Sequence, residues 1–198
     1  KARRNLGAHY TSEENILKLI RPLFLDALWA EFHKVKNNKN RLFDFHKKLR
    51  HLTFFDPACG SGNFLIITYK ELRVLEIKII QQIIALEKIP LFADAFTSSI
   101  SLNQFYGIEL DDFAHEMAIL SLWLAEHQMN RVFDEQLEGY GKSKPILPLK
   151  QAGKIVQGNA ARTDWKEVCP ATKDDEVYII GNPPYLGARM QDAEQKKD

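Results

Sequence analysis

The spacing of apolar residues changes along the chain and separates helices from strands. Ile16, Ile20, Leu23, Phe24, Ala27 and Leu28 recur every three or four positions, which is the spacing of one helix face. Thr11 and Glu14 stand at capping-box distance, and Glu13 and Glu14 suit the positive end of a helix dipole, so a helix is expected to open at Thr11. Pro22 has no N–H for the helix ladder, which predicts a kink or a break there. From His33 to His51 the chain carries Lys34, Lys36, Lys39, Arg41, Lys47, Lys48 and Arg50 against one acid, Asp44, and reads as a solvated connection between elements. His51 to Phe55 is short and aromatic, hence a strand, followed by a glycine-bearing turn. A helical pattern then runs through Glu71, Leu72, Leu75, Ile79 and Ile83 to about Glu87.

The second half repeats this alternation. Pro90 to Ser101 is irregular, and Gln104 to Leu110 reads as a second strand with an acid near its end. Asp111 and Asp112 open another helix, Asp111 as its cap, with Ala114, Met117, Leu120 and Leu124 on the apolar face. Asp134 to Lys150, rich in Gly, Lys and Pro, reads as an exposed loop. Lys154 to Gln157 is a third, short strand, and the polar stretch Trp165 to Glu176 is expected to cross back over the sheet. Val177 to Ile180 is an apolar run that reads as a buried strand. Strand, glycine turn and helix in alternation predict an α/β fold, a doubly wound parallel sheet of about four strands flanked by helices, behind an N-terminal helical segment. Residues 1–50 are taken as that segment and 51–198 as the catalytic part.

Composition narrows the class. The 198 residues are 45% hydrophobic and 27% charged with a formal net charge of +1, values of a soluble globular protein. No excess of positive charge marks a nucleic-acid binder, so any basic surface must be local. No apolar run approaches a membrane span and no signal-peptide pattern opens the chain, so no membrane partner is expected. The two cysteines, Cys59 and Cys169, and the six histidines lack metal-ligand spacing, which points to a reducing, cytoplasmic setting and to no metal site.

The chemistry concentrates in three places. After the last strand, Gly181-Asn182-Pro183-Pro184-Tyr185 must leave the sheet, because two prolines donate nothing to a ladder. An amide oxygen and a fixed backbone carbonyl can accept both protons of one planar amino group, and the ring of Tyr185 can stack on the flat molecule carrying it. In Asp56-Pro57-Ala58-Cys59-Gly60-Ser61-Gly62-Asn63-Phe64-Leu65, the glycines let backbone approach a ligand at a helix N-terminus. Leu65 replaces the third glycine of the dinucleotide fingerprint, which argues against a pyrophosphate-binding dehydrogenase. Cys59 is read as a small residue in a crowded turn, not a nucleophile. At the tip of the second strand, Glu109 is placed to accept from two ribose hydroxyls. Asn159 either meets a ligand ring or is an ordinary turn residue.

Together these pieces resemble S-adenosylmethionine-dependent methyltransferases acting on the amino group of adenine in DNA, in the motif order of the gamma group. The wording of HYTSEENILKLIRPLFLD and DPACGSGNFLIITYKELRVLE is similar to MmeI-like enzymes, in which methyltransferase, target-recognition and often nuclease parts share one polypeptide. The resemblance implies a Rossmann-like class I methyltransferase fold, here its N-terminal part, with S-adenosylmethionine as cofactor. It implies that Thr11 contacts the methionine carboxylate. Asp56, Pro57, Ala58, Cys59, Gly60 and Gly62 would hold the methionine part with Phe64 nearby, Glu109 would bind the ribose, and Leu110 would lie against the adenine. Asn159 falls where many relatives have Asp contacting the adenine amino group. Asn182 and Pro183 would bind the target amine, with Pro184 and Tyr185 completing the catalytic loop on an adenine flipped out of double-stranded DNA. DNA contact would come through regions outside this chain. The same Asn-Pro-Pro-Tyr also occurs in enzymes methylating protein glutamine or RNA guanine. A cofactor-binding fragment inactive alone is the other alternative.

Overall fold

The structure, a computed structural model, describes residues 11–87, 96–143 and 154–183. Three helices lead: α1 (Glu13–Ile20), α2 (Asp26–Val35) and α3 (Lys39–Lys48). The alternating part follows as β1 (Leu52–Asp56), α4 (Asn63–Leu86), β2 (Phe105–Glu109), α5 (Asp112–Gln136), β3 (Lys154–Gln157), the short α6 (Trp165–Val168) and β4 (Glu176–Ile179). The four strands form one parallel sheet in the order β3-β2-β1-β4. The α/β class, the parallel sheet and the strand count are as expected from sequence.

The order follows from the connections. Parallel neighbours need crossovers, and α4 and α5 supply two successive ones that place β2 and β3 on the same side of β1. The segment after β3 must therefore pass over the sheet to reach the far side of β1. It does so through α6, whose Trp165 meets Phe55 edge-on. All carboxyl ends of the strands lie at one edge, so the turn after β1, the acid ending β2 and the chain leaving β4 converge.

One face of the sheet carries an aromatic ladder, Phe105 and Tyr178 stacked on either side of Phe54 with ring centroids 5.3 and 5.6 Å apart. Phe24 closes on both Phe54 and Tyr178, and Tyr69 from α4 meets Phe105 edge-on. The leading helices thus share their core with the sheet. The opposite face holds a small cluster of Phe55, Tyr106, Ile108, Val168 and Cys169.

Several expectations change. The N-cap position of α1 is Ser12, one residue later than expected, with no side-chain capping bond, and the Thr11–Glu14 box does not form. Pro22 interrupts the α-helix as expected, with helical turns continuing on both sides. A π-helical turn, Arg21–Leu25, absorbs one extra residue and shifts the apolar stripe, so Leu25 and Leu28 go inward while Leu23 and Ala27 face out. The basic stretch is no solvated connection: α3 runs through it, capped by Asn38, and buries Leu42, Phe45 and His46 beneath its lysines. Helix α5 turns its other face inward, with Ala118, Leu122, Ala125, Met129 and Phe133 buried and Leu120 and Leu124 exposed. Small residues win there because α4 packs closely. β4 is an edge strand among the described residues, and of its apolar run only Ile180 is fully buried, Ile179 being 57% exposed. The expected loop from Asp134 also begins later, because α5 continues to Gln136.

Candidate functional site

Asp56 ends β1 inside the molecule, 1% exposed, with its Oδ1 accepting the Ala58 N–H at 3.0 Å. The following turn is tied to β2 by the Cys59 N–H donating to the Ile108 carbonyl at 3.0 Å. Gly60 (φ +56°) and Gly62 (φ +83°) take left-handed conformations that other residues rarely adopt. Gly62 has a second constraint: a Cβ would lie 3.3 Å from that of Ala118, so the glycine sets how closely α4 and α5 approach. Gly60 faces open space. Helix α4 starts at Asn63 with no side-chain cap, leaving first-turn N–H groups available to a ligand.

Glu109 links the turn to β2. Its Oε2 accepts from the Gly60 N–H at 2.7 Å and its Oε1 from the Asp111 N–H at 2.8 Å. Each oxygen takes a single backbone donor and keeps a lone pair for an O–H group. The two bonds orient the carboxylate in advance, an arrangement that fits a ligand with neighbouring hydroxyls. Asp111 caps α5 through the Ala114 N–H, as its position suggested. Beyond the strand, Leu110 and Phe113 expose apolar side chains at the same edge.

The chain leaving β4 closes the other side. Ile180 extends the ladder with an N–H donated to the Phe55 carbonyl at 2.9 Å. Gly181 then passes over Asp56 so closely that a Cβ would stand 3.0 Å from the carboxyl carbon. No larger residue fits. Asn182 follows, and its Nδ2 donates to the Thr11 Oγ1 at 3.2 Å across 171 positions of sequence. Pro183 is the last described residue of this loop; Pro184 and Tyr185 lie outside the described residues.

Burial pushes the Asp56 carboxyl up to about 7, with the nearby Glu109 charge adding to the shift and the Ala58 N–H opposing it. Burial, then the Asp56 and Glu109 charges, push the Cys59 thiol well above its ordinary range. Together with packing of its sulfur against Gly107, this keeps Cys59 an unreactive filler. Phe64 is buried in the core behind the turn. Asn159 accepts the Ala161 N–H on Oδ1 at 2.9 Å and the Arg162 and Thr163 N–H groups on its carbonyl, shaping the turn after β3. That turn is joined to the site by the Gly158 N–H donating to the Glu109 carbonyl at 2.9 Å.

Thr11, the stretch from Asp56 to Gly62, Glu109 and Asn182 are thus brought to one edge of the sheet, linked pair by pair. Sequence reasoning named Gly181 only as the start of the loop after the last strand and did not single out Ala118; the close packing of both appears only once their partners are known.

The family described as "MmeI, DNA-methyltransferase domain" matches residues 32–198. The chain is 50% identical over its 198 residues to the protein named DNA methyltransferase A of Bacillus subtilis (strain 168), covering 100% of this chain and 22% of that protein. A solved structure of the type IIL restriction-modification enzyme MmeI in complex with DNA superposes with a TM-score of 0.87 at 51% identity, over 98% of this chain and 25% of the other. The chain therefore spans about a fifth to a quarter of the length of these relatives.

Proposed function

The chain belongs to the MmeI DNA-methyltransferase domain family, and from that premise we propose that it is the cofactor-binding and catalytic part of a site-specific DNA methyltransferase. The reaction is transfer of methyl from S-adenosylmethionine to the exocyclic amine of adenine, within a cytoplasmic restriction–modification enzyme. Double-stranded DNA is the partner, reached through regions outside this chain. The observation that carries this reading is the passage of Gly181 directly over Asp56, which sets the loop carrying Asn182 beside the glycine turn after β1.

When bound, S-adenosylmethionine supplies an electrophilic methyl on a sulfonium sulfur that departs as a neutral thioether. Asp56 and the backbone from Pro57 to Gly62 hold the methionine end, with Phe64 behind them, and Glu109 accepts from the ribose hydroxyls. Leu110 would lie against the cofactor's adenine ring, with Asn159 near its amino group. The target base has to leave the duplex to reach this pocket, and Tyr185 stacks on it. Its exocyclic nitrogen is a poor nucleophile because its lone pair is delocalised into the ring. The amide oxygen of Asn182 and the carbonyl of Pro183 accept the two amine protons and draw them out of the ring plane, which localises the lone pair on nitrogen. The same acceptors stabilise the positive charge that develops there as the nitrogen–carbon bond forms and the carbon–sulfur bond breaks. The methylated amine then releases one proton to solvent. Alignment of nitrogen, methyl carbon and sulfur supplies much of the remaining rate.

The test is to offer the full-length protein DNA, RNA and release-factor protein with methyl-labelled S-adenosylmethionine. Label recovered as N6-methyladenine from DNA is the expected result. Label only in protein or only in RNA guanine overturns the substrate. Asn182→Ala is expected to abolish transfer while leaving cofactor affinity, measured by calorimetry, within about threefold, since it changes affinity by well under 1.4 kcal/mol.

A further inference from the structure

We propose that Thr11 is a positioning residue for the catalytic amide: with its own proton given to an acceptor on its other side, its hydroxyl can only accept from Nδ2 and so turns the Asn182 oxygen toward the substrate. This rests on the reading of Asn182 as the amine-binding residue. A side-chain amide is nearly symmetric in shape but opposite in chemistry at its two ends, one donating and one accepting. Turned the wrong way, Asn182 presents N–H groups to an amine that must itself donate, and the activating hydrogen bond is lost. In the structure Nδ2 donates to the Thr11 Oγ1 at 3.2 Å, which leaves Oδ1 for the target.

Among the described residues, Asn182 is the partner of the Thr11 hydroxyl. The N-cap position of α1 is Ser12, whose side chain makes no capping hydrogen bond, and Thr11 lies one residue before it. The backbone on either side of the pair is held independently. Ile180 is fastened to Phe55, Gly181 is pressed against Asp56, and Ile16 returns an N–H to the Ser12 carbonyl at 3.0 Å. Two anchored segments therefore meet through one hydrogen bond, and that bond is the polar contact seen on the exposed Asn182 amide. A hydroxyl that accepts from Nδ2 also keeps its own proton to donate. Thr11 can then serve a carboxylate acceptor on its other side without releasing the amide, so one residue orients the catalytic group and meets the cofactor.

The experiment compares wild type, Thr11→Val and Thr11→Ser in the full-length protein, reading S-adenosylmethionine affinity by calorimetry and the single-turnover methylation rate at saturating cofactor. Valine keeps the shape and removes the hydroxyl. Loss of one neutral hydrogen bond that orients the amide predicts a rate on the order of tenfold lower for Thr11→Val, with cofactor affinity changed much less. Thr11→Ser, which restores the hydroxyl, is expected to return most of the lost rate. A Thr11→Val enzyme that binds cofactor weakly but turns over at the wild-type rate once saturated overturns the proposal, because Thr11 then acts through the cofactor alone. Failure of Thr11→Ser to recover any rate overturns it as well, since the hydroxyl is then not the relevant group. Absence of N6-methyladenine from the wild-type reaction is a separate outcome and removes the functional reading itself.

Discussion

At the scale of single residues, the site depends on groups placed where they are uncomfortable. Asp56 is a carboxyl at 1% exposure, pressed by Gly181 and facing Glu109, and burial holds it protonated up to about pH 7. Its value is raised above that of the unfolded chain, so between about 4 and 7 the folded state binds the extra proton. The protonated form therefore stabilises the fold at the acid end of that window, and the contribution fades as pH rises through 7. Asp56→Asn is expected to flatten this part of the stability–pH curve, measured by urea unfolding from pH 4 to 8. An unchanged slope would remove Asp56 as its source. A bound cation close to Asp56 favours the ionised carboxylate. S-adenosylmethionine binding near pH 7 is thus expected to release a proton and to weaken as pH falls. Calorimetry in buffers of different ionisation heat reads that release directly.

At the scale of elements, α3, α4 and the segment before β2 are held by one buried polar cluster. Glu76, fully buried on α4, accepts from His46 on α3 at 3.1 Å, from the Ser98 hydroxyl at 2.6 Å and from the Ser99 N–H, and it pairs with Arg73 one turn away at 3.3 Å. Arg73 in turn reaches Tyr69 and Asn130, which carries the cluster across to α5. Removing one member of such a cluster leaves its partners buried and uncompensated. Glu76→Ala is expected to cost about 3–5 kcal/mol in unfolding free energy. A loss below about 1 kcal/mol would show that water replaces the carboxylate. The cluster also explains why the basic stretch misleads. Its lysines are exposed as their composition suggests, yet Leu42, Phe45 and His46, spaced three and one apart, form an inward stripe that a charge count does not register.

At the scale of the whole molecule, the described residues leave apolar surface uncovered in several places, two of them near the site. Leu110, just past β2, is followed by Phe113, Leu120 and Leu124 along the outside of α5, and Val177, Ile179 and Trp165 lie on the thinly covered face of the sheet. Exposed apolar groups so arranged are common where further protein packs. The relatives extend well past the matched region, since this chain spans 22% of one and 25% of another. The isolated 198 residues are therefore expected to give no sequence-specific methylation, and to bind a hydrophobic dye more strongly than the full-length protein does. Robust site-specific methylation by the isolated chain would contradict this.

What the sequence determined was local: strand, glycine turn and helix after Leu52, an acid at the end of β2, Asp111 as a cap, and two prolines that force the chain off β4. These depend on neighbours a few residues apart, because backbone freedom, missing donors and helix capping act at short range. The α/β class and the parallel order follow from such signals in alternation. Tertiary structure alone decided which apolar stripe of α5 goes inward, because Ala118 and Ala125 admit a closer neighbour than leucines do. It alone left β4 half exposed at the sheet edge and drew His46 to Glu76. Above all, it alone brought Thr11 to Asn182 and Gly181 onto Asp56. No spacing rule reaches across 171 positions. Contacts of that range exist only when the sheet has closed and its carboxyl ends stand side by side.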